Sequence, residues 1–190
     1  ILDANDKVLR TITTKKQESG GEGEGPSGPP APVLAVKAGM NRIVWDMRGE
    51  NITRVPELFV YGSLQSYKEA PGSYKARLSV GEKSVVQTFE IVQDRRIKIA
   101  PEVFEQQQKL LAGLKASANE IHEGVNRLRE VRKQVKDWMA RTKGLANAKT
   151  IADSGKALVD KITAWEEQIV QPKQETFQDV INFPNKLNAQ

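Results

Sequence analysis

Along the chain the alternation of apolar and polar side chains changes period once, near Pro101. Before that proline, short runs alternate with period two, the pattern of half-buried strands. The clearest is Ser73 to Val80, where Tyr74, Ala76, Leu78 and Val80 alternate with Ser73, Lys75, Arg77 and Ser79. Pro71-Gly72 turns the chain into this run. Gly81-Glu82 turns it out into a partner, Ser84 to Val92, with Val85, Phe89 and Ile91 on one face, so an antiparallel hairpin is expected. Met40 to Arg48 reads as a further strand whose Ile43, Trp45 and Met47 face a core. Ile1, Val8, Leu9 and Ile12, around the turn-like Asn5-Asp6, read as a strand or hairpin edge. Several short strands spaced by turn signals predict an antiparallel Ig-like β-sandwich over residues 1–97, cored by Trp45, Tyr74, Leu78 and Phe89, because two half-apolar sheets must cover each other.

After Pro101 the period becomes helical. Leu114, Ala118, Ile121, Val125, Leu128, Val135 and Trp138 form one stripe, and Ile151, Gly155, Leu158, Ile162, Trp165 and Ile169 a second. Matching stripes predict a long antiparallel α-helical hairpin within 98–190, with helices over about 101–142 and 149–170. The tail that follows keeps Phe177, Val180, Ile181, Phe183 and Leu187 and is expected to dock. The fold class predicted is therefore α+β, multidomain. Between the first two apolar runs lies a Gly/Pro-rich segment, 16–32, with no large apolar side chain to offset the entropy of ordering, and it is expected to be disordered. A phosphate-cradling use of these glycines is disfavoured by Glu22 and Glu24 and by the prolines where a helix would start.

Composition narrows the chemistry. With 38% hydrophobic and 28% charged residues among 190, the chain has ordinary globular proportions, and a net charge of +5 mixed in sign names no partner. No stretch is long and apolar enough for a membrane span. The start at Ile1-Leu2-Asp3-Ala4, with neither Met nor the regions of a signal peptide, reads as that of a fragment. Zero cysteines exclude thiolate nucleophiles, disulfides and sulfur-ligated zinc, and the single histidine excludes paired imidazole ligands. His122 sits between Glu120 and Glu123, but adjacent helical positions diverge, so a solvated helix face is expected there. Asp46 with Glu50, and Asp94 with Glu102, are carboxylate pairs that no pattern places across a cleft. The basic run Arg127, Arg129, Arg132, Lys133, Lys136, Arg141 and Lys143 distributes around a helix and lacks an aromatic stacking platform, which does not favour nucleic acid. Phe59, Tyr61 and Tyr67 fall in a loop-rich stretch and are the candidate surface for carbohydrate or protein. No residue is assigned to catalysis, to a cofactor or to a metal.

At Gly39-Met40-Asn41-Arg42-Ile43-Val44-Trp45-Asp46-Met47-Arg48, followed by Ala70-Pro71-Gly72-Ser73-Tyr74, the chain resembles the C-terminal region of bacterial sortilin-like (VPS10-type) proteins. In that family a large propeller of BNR/Asp-box repeats precedes such modules. Gln93-Asp94-Arg95-Arg96, Asn126-Arg127-Leu128-Arg129 and Gln178-Asp179-Val180-Ile181-Asn182-Phe183-Pro184 extend the likeness. The first module is also similar to the Ig-like domains of flagellar hook-capping proteins and of sorting-domain-bearing secreted proteins. The resemblance implies a secreted, periplasmic or cell-surface location and a non-catalytic scaffold or protein-interaction role. Its partners would be the propeller of the same polypeptide and a protein recruited through the helical hairpin. Because the propeller repeats are absent from these residues, no catalytic residue carries over. The rival expectation is a carbohydrate-binding module of a secreted glycoside hydrolase.

Overall fold

A computed structural model of the chain describes residues 1–14, 34–60, 62–176, 178–179 and 186. The disorder expected at 16–32, Tyr61, and the expected docking of the tail through Phe177, Val180, Ile181, Phe183 and Leu187 lie outside the described residues. The elements are β1 (Leu2–Asp3), β2 (Gly72–Val80), β3 (Lys83–Ile91), α1 (Pro101–Arg141) and α2 (Ala148–Ile169). The chain divides into two compact units that do not follow chain order. The first takes Gln65–Ser117 with the described residues of Ile1–Glu18 and Pro29–Ile52, and the second joins Thr53–Leu64 to the chain from Ala118 onward.

In the first unit the three strands form one open antiparallel sheet in the order β1-β2-β3. The N-terminal turn is held by Asp3, whose Oδ1 accepts from the amides of Asn5 and Lys7, each at 2.9 Å. Asp6 takes a left-handed φ of 65°, which a short polar side chain tolerates. The β2–β3 hairpin closes on Gly81, at φ 58°, as a two-residue turn of this hand requires. Register pairs Tyr74 with Phe89 and Leu78 with Val85 on one face. At the first pair Trp45 completes an aromatic cluster with all three centroid separations at 6.0 Å, and the Tyr74 hydroxyl donates to the Ala70 carbonyl at 2.6 Å.

The expected sandwich is not what forms: among the described residues there is a single three-stranded sheet, with no second sheet on its apolar face. The cause lies in Met40 to Arg48, which is irregular rather than a strand. The Asn41 side chain accepts from the Lys37 amide and donates to the carbonyls of Lys37 and Gly39, taking up main-chain groups a ladder would need. Met47 then adopts a φ of 61°, which breaks the extended path. Of the predicted core, Tyr74 is buried and Trp45 and Phe89 are half-buried, whereas Leu78 is 60% exposed. Covering only the base of the hairpin leaves its distal half, Leu78, Val80 and Val85, in solvent.

In the second unit α2 runs antiparallel to the later half of α1. Arg129 and Arg132 meet Glu166, Arg132 also reaches Thr163, and Met139 lies against Gly155. The seam keeps Val125, Val135, Gly155 and Ile162 of the predicted stripes but takes Arg129, Arg132, Met139 and Glu166 in place of other members. Val125, Arg129, Arg132 and Met139 on α1 face Gly155, Ile162 and Glu166 on α2, while Ile121, Trp138, Leu158 and Trp165 are exposed. Gly155 permits a close approach of Met139: a Cβ there would lie 2.6 Å from Met139 Sδ and 2.7 Å from its Cγ. Pro101 at the start of α1, Glu102 in its first turn and Arg141 in its last match the needs of the helix ends. Val55, Leu58, Phe59, Val60 and Leu64 of the Thr53–Leu64 segment form the core of this unit with Val125, Ile162 and Val170.

Gly155→Leu is expected to destabilise the chain by about 1–3 kcal/mol through overpacking, and Met139→Ala in the same background to recover part of the loss. Urea denaturation followed by helical circular dichroism checks this, and equal stability of Gly155→Leu and wild type would refute the close approach.

Candidate functional site

In the second unit a polar ladder runs from one face of α1 onto an irregular main chain. Asn119 Oδ1 accepts from the Thr53 amide at 2.7 Å, and Asn126 Nδ2 donates to the Arg54 carbonyl at 2.8 Å. His122 donates through Nδ1 to the Thr53 carbonyl, and Arg129 donates to the Pro56 carbonyl. Positions 119, 122, 126 and 129 recur at helical spacing, so one face of α1 supplies all four. An irregular segment buries Val55, Leu58 and Phe59 at lower cost when its own main-chain groups find partners, and this ladder provides them for the Thr53 amide and the carbonyls of Thr53, Arg54 and Pro56. The expectation of a solvated His122 is thereby corrected: the ring is fully buried, and the carbonyl it faces fixes the proton on Nδ1.

The ladder ends in an ionic clamp. Glu166, 5% exposed, accepts from Arg129 Nε through Oε1 at 2.6 Å. Arg132 Nη1 stands 2.7 Å from Oε2, but off the hydrogen-bond direction, so that contact is an ion pair alone. Arg129, Arg132 and Glu166 also line a groove of about 610 Å³ with Lys133, Lys136 and Asp137. Two of the seven residues of the predicted basic run are thus spent on an internal carboxylate, which lowers the field the run presents to an external anion.

The first unit holds a second polar centre. Arg10 donates from Nη1 to the Gly49 carbonyl at 3.1 Å and lies 3.7 Å from Glu50 Oε2, while Glu50 Oε1 accepts from the Thr11 amide at 2.6 Å. Lys115 donates to the Glu50 carbonyl, and its Nζ is 3.2 Å from Ser66 Oγ. Gly49 is packed so closely that a Cβ would stand 3.2 Å from Glu69 Oε1 and 3.5 Å from Ser66 Oγ. Burial pushes the Lys115 ammonium below its ordinary value, against the opposing pull of Glu69 and Glu50. Burial likewise raises the Glu69 carboxyl above its ordinary range, with Lys115 and Lys7 pulling it back. A serine beside a lysine of depressed pKa is the geometry of an activated nucleophile. Here Ser66 is 2% exposed and its own carbonyl is held by Arg48, so the pair secures backbone rather than meeting a substrate.

Of the aromatic candidates, Phe59 and Tyr67 fall in different units. Phe59 is buried in the second unit and offers no ring face for stacking, whereas Tyr67 is half-buried in the first, its hydroxyl pKa raised by burial and by Glu69. Asp46 accepts from the Arg48 amide and Asp94 pairs with Arg96, so neither joins a carboxylate partner. Among the described residues no group of three or more His, Asp or Glu could hold a metal ion, and no helix is long and apolar enough to cross a membrane. No family model, curated protein or solved structure matches the chain.

What stands out instead is exposed apolar surface on the helix pair. At 100° per residue, the position one before each seam residue lies on the same side of an antiparallel pair for both helices. Val131 and Trp138 on α1 and Trp165 on α2 occupy such positions; Ile121 and Leu158, one position before the buried His122 and the half-buried Val159, extend the same side, and all five are exposed, Trp138 to 63%. Asn126, one position after the seam residue Val125, and Asn119, seven residues earlier, lie on the opposite side, against Arg54 and Thr53. Among the described residues one side of the hairpin is strapped and the other is bare. Sequence periodicity assigned four of these five residues to the seam, and the pairing of Glu166 with two arginines was the signal it missed.

Glu166→Ala strands two arginine charges, and a loss of about 3 kcal/mol is expected in urea denaturation, with a smaller loss for Glu166→Gln. Unchanged stability in both variants would show the clamp to be idle. Because the folded pKa of Glu69 is raised, its protonation contributes stability that is full below the ordinary value and is lost as pH rises through the raised one. The melting-temperature advantage of wild type over Glu69→Gln should therefore grow as pH falls from 7 toward 4.5. Parallel melting curves across that range would exclude the assignment.

Proposed function

We propose that this chain is a non-catalytic accessory module of a larger exported β-propeller protein, a scaffold that docks the bare side of its helix pair on the propeller of the same polypeptide. The observation that carries the reading is the one-sided covering of the hairpin. On the strapped side Asn119 and Asn126 are engaged by the Thr53 amide and the Arg54 carbonyl, while the other side offers Trp138, Trp165, Leu158, Val131 and Ile121 to solvent. Exposed tryptophans on a rigid helical face are the residue type that dominates binding energy at protein interfaces. The commitment to a propeller rests on the resemblance carried by Gly39 to Arg48, by Ala70 to Tyr74 and by Asn126 to Arg129. Export follows from the same resemblance and agrees with a chain that uses no cysteine.

The test expresses this chain and the propeller encoded in its reading frame as separate polypeptides. Calorimetric binding is expected, with a blue shift of tryptophan emission. Trp138→Ser combined with Trp165→Ser should weaken binding by about tenfold or more while leaving the helical signal and melting temperature in place, since both rings are exposed. A reading frame without a propeller, or intact pieces that do not bind, would sink the proposal.

A further inference from the structure

The outer edge of β3 is a built pairing surface, and the geometry points to a second copy of this chain as its occupant, joined antiparallel about a dyad at Gln87. Val80 pairs with Lys83 across the two-residue turn, which makes them a hydrogen-bonded pair. Alternation down the unbroken register then points the main-chain N–H and C=O of Ser84, Val86, Thr88 and Glu90 away from β2. No strand meets them among the described residues, since β3 ends the sheet.

Strand edges are normally blunted by proline, a bulge or a central charge. On β2 the residues directed away from β3 include Lys75 and Arg77, and β1 covers only Tyr74 and Lys75. On β3 the corresponding positions are β-branched at the centre, Val86 and Thr88, with one carboxylate at the end and neither proline nor bulge. A dyad at Gln87 sets Ser84 opposite Glu90 and Val86 opposite Thr88, so that outward-pointing groups meet outward-pointing groups. It also sets Val85 beside Phe89, an aromatic and β-branched pair of the favourable kind. No like charges face each other in that register. Sliding the dyad to Val86 would oppose Glu82 with Glu90, which selects against that neighbour. The inference is independent of the docking proposed for the helix pair, because it uses no residue of that face.

Sedimentation of the intact chain from micromolar to millimolar concentration tests it, and a concentration-dependent dimer is expected. Thr88→Pro removes an outward N–H without touching the ladder to β2 and should leave only monomer. The absence of native cysteine permits a register test that does not depend on that variant folding. Gln87→Cys places two thiols opposite each other at a non-hydrogen-bonded pair, within disulfide reach, and should cross-link on oxidation, whereas Lys83→Cys should not. A monomer at every concentration, a dimer that persists in Thr88→Pro, or equal cross-linking through Lys83→Cys would overturn the assignment.

Discussion

The second unit depends on the hydrogen bonding of a main chain that has no secondary structure of its own. Thr53 to Pro56 brings amides and carbonyls into a core with Val55 at its centre, and in apolar surroundings each unpaired group would cost about 1–3 kcal/mol. Asn119, His122, Asn126 and Arg129 meet that demand from a single face of α1. Arg129 is shared, since it serves both the Pro56 carbonyl and the Glu166 carboxylate, so the strap and the helix pairing are coupled through one guanidinium. The planar fork of arginine suits this double duty in a way lysine does not.

That constraint sets which apolar residues are exposed. A helix pair whose seam spends three positions on Arg129, Arg132 and Glu166 has fewer places for its apolar residues, and the surplus faces outward on the side away from the strap. The sheet shows a parallel economy. Trp45 covers Tyr74 and Phe89, and the rest of the hairpin face stays in solvent. Both exposed surfaces are carried on regular elements.

Much of the local structure could be read from residue order. Asn5-Asp6 and Gly81-Glu82 marked turns because few residues other than Asp6 and Gly81 take the left-handed angles those turns use, and Pro101 marked a helix start because proline lacks the amide a helix interior needs. The strand Ser73 to Val80 and its partner were legible from strict alternation. The sandwich was not, since alternation names an apolar face without naming what covers it, and Met40 to Arg48 has the right alternation but is held irregular by Asn41 and by the left-handed turn at Met47. His122 looked like surface because its neighbours are charged, and only a carbonyl nearly seventy residues earlier explains its burial.

The order of residues by itself determined which segments would be helix and which hairpin, because those preferences arise within a few residues through sterics, turn geometry and side-chain period. Tertiary structure decided which face of each helix turned inward, and that Thr53–Leu64 joined the helices and not the strands around it in sequence. Those choices turn on the closeness allowed by Gly155 and on main-chain groups and charges far apart in the chain, whose energies exist only once the segments have met.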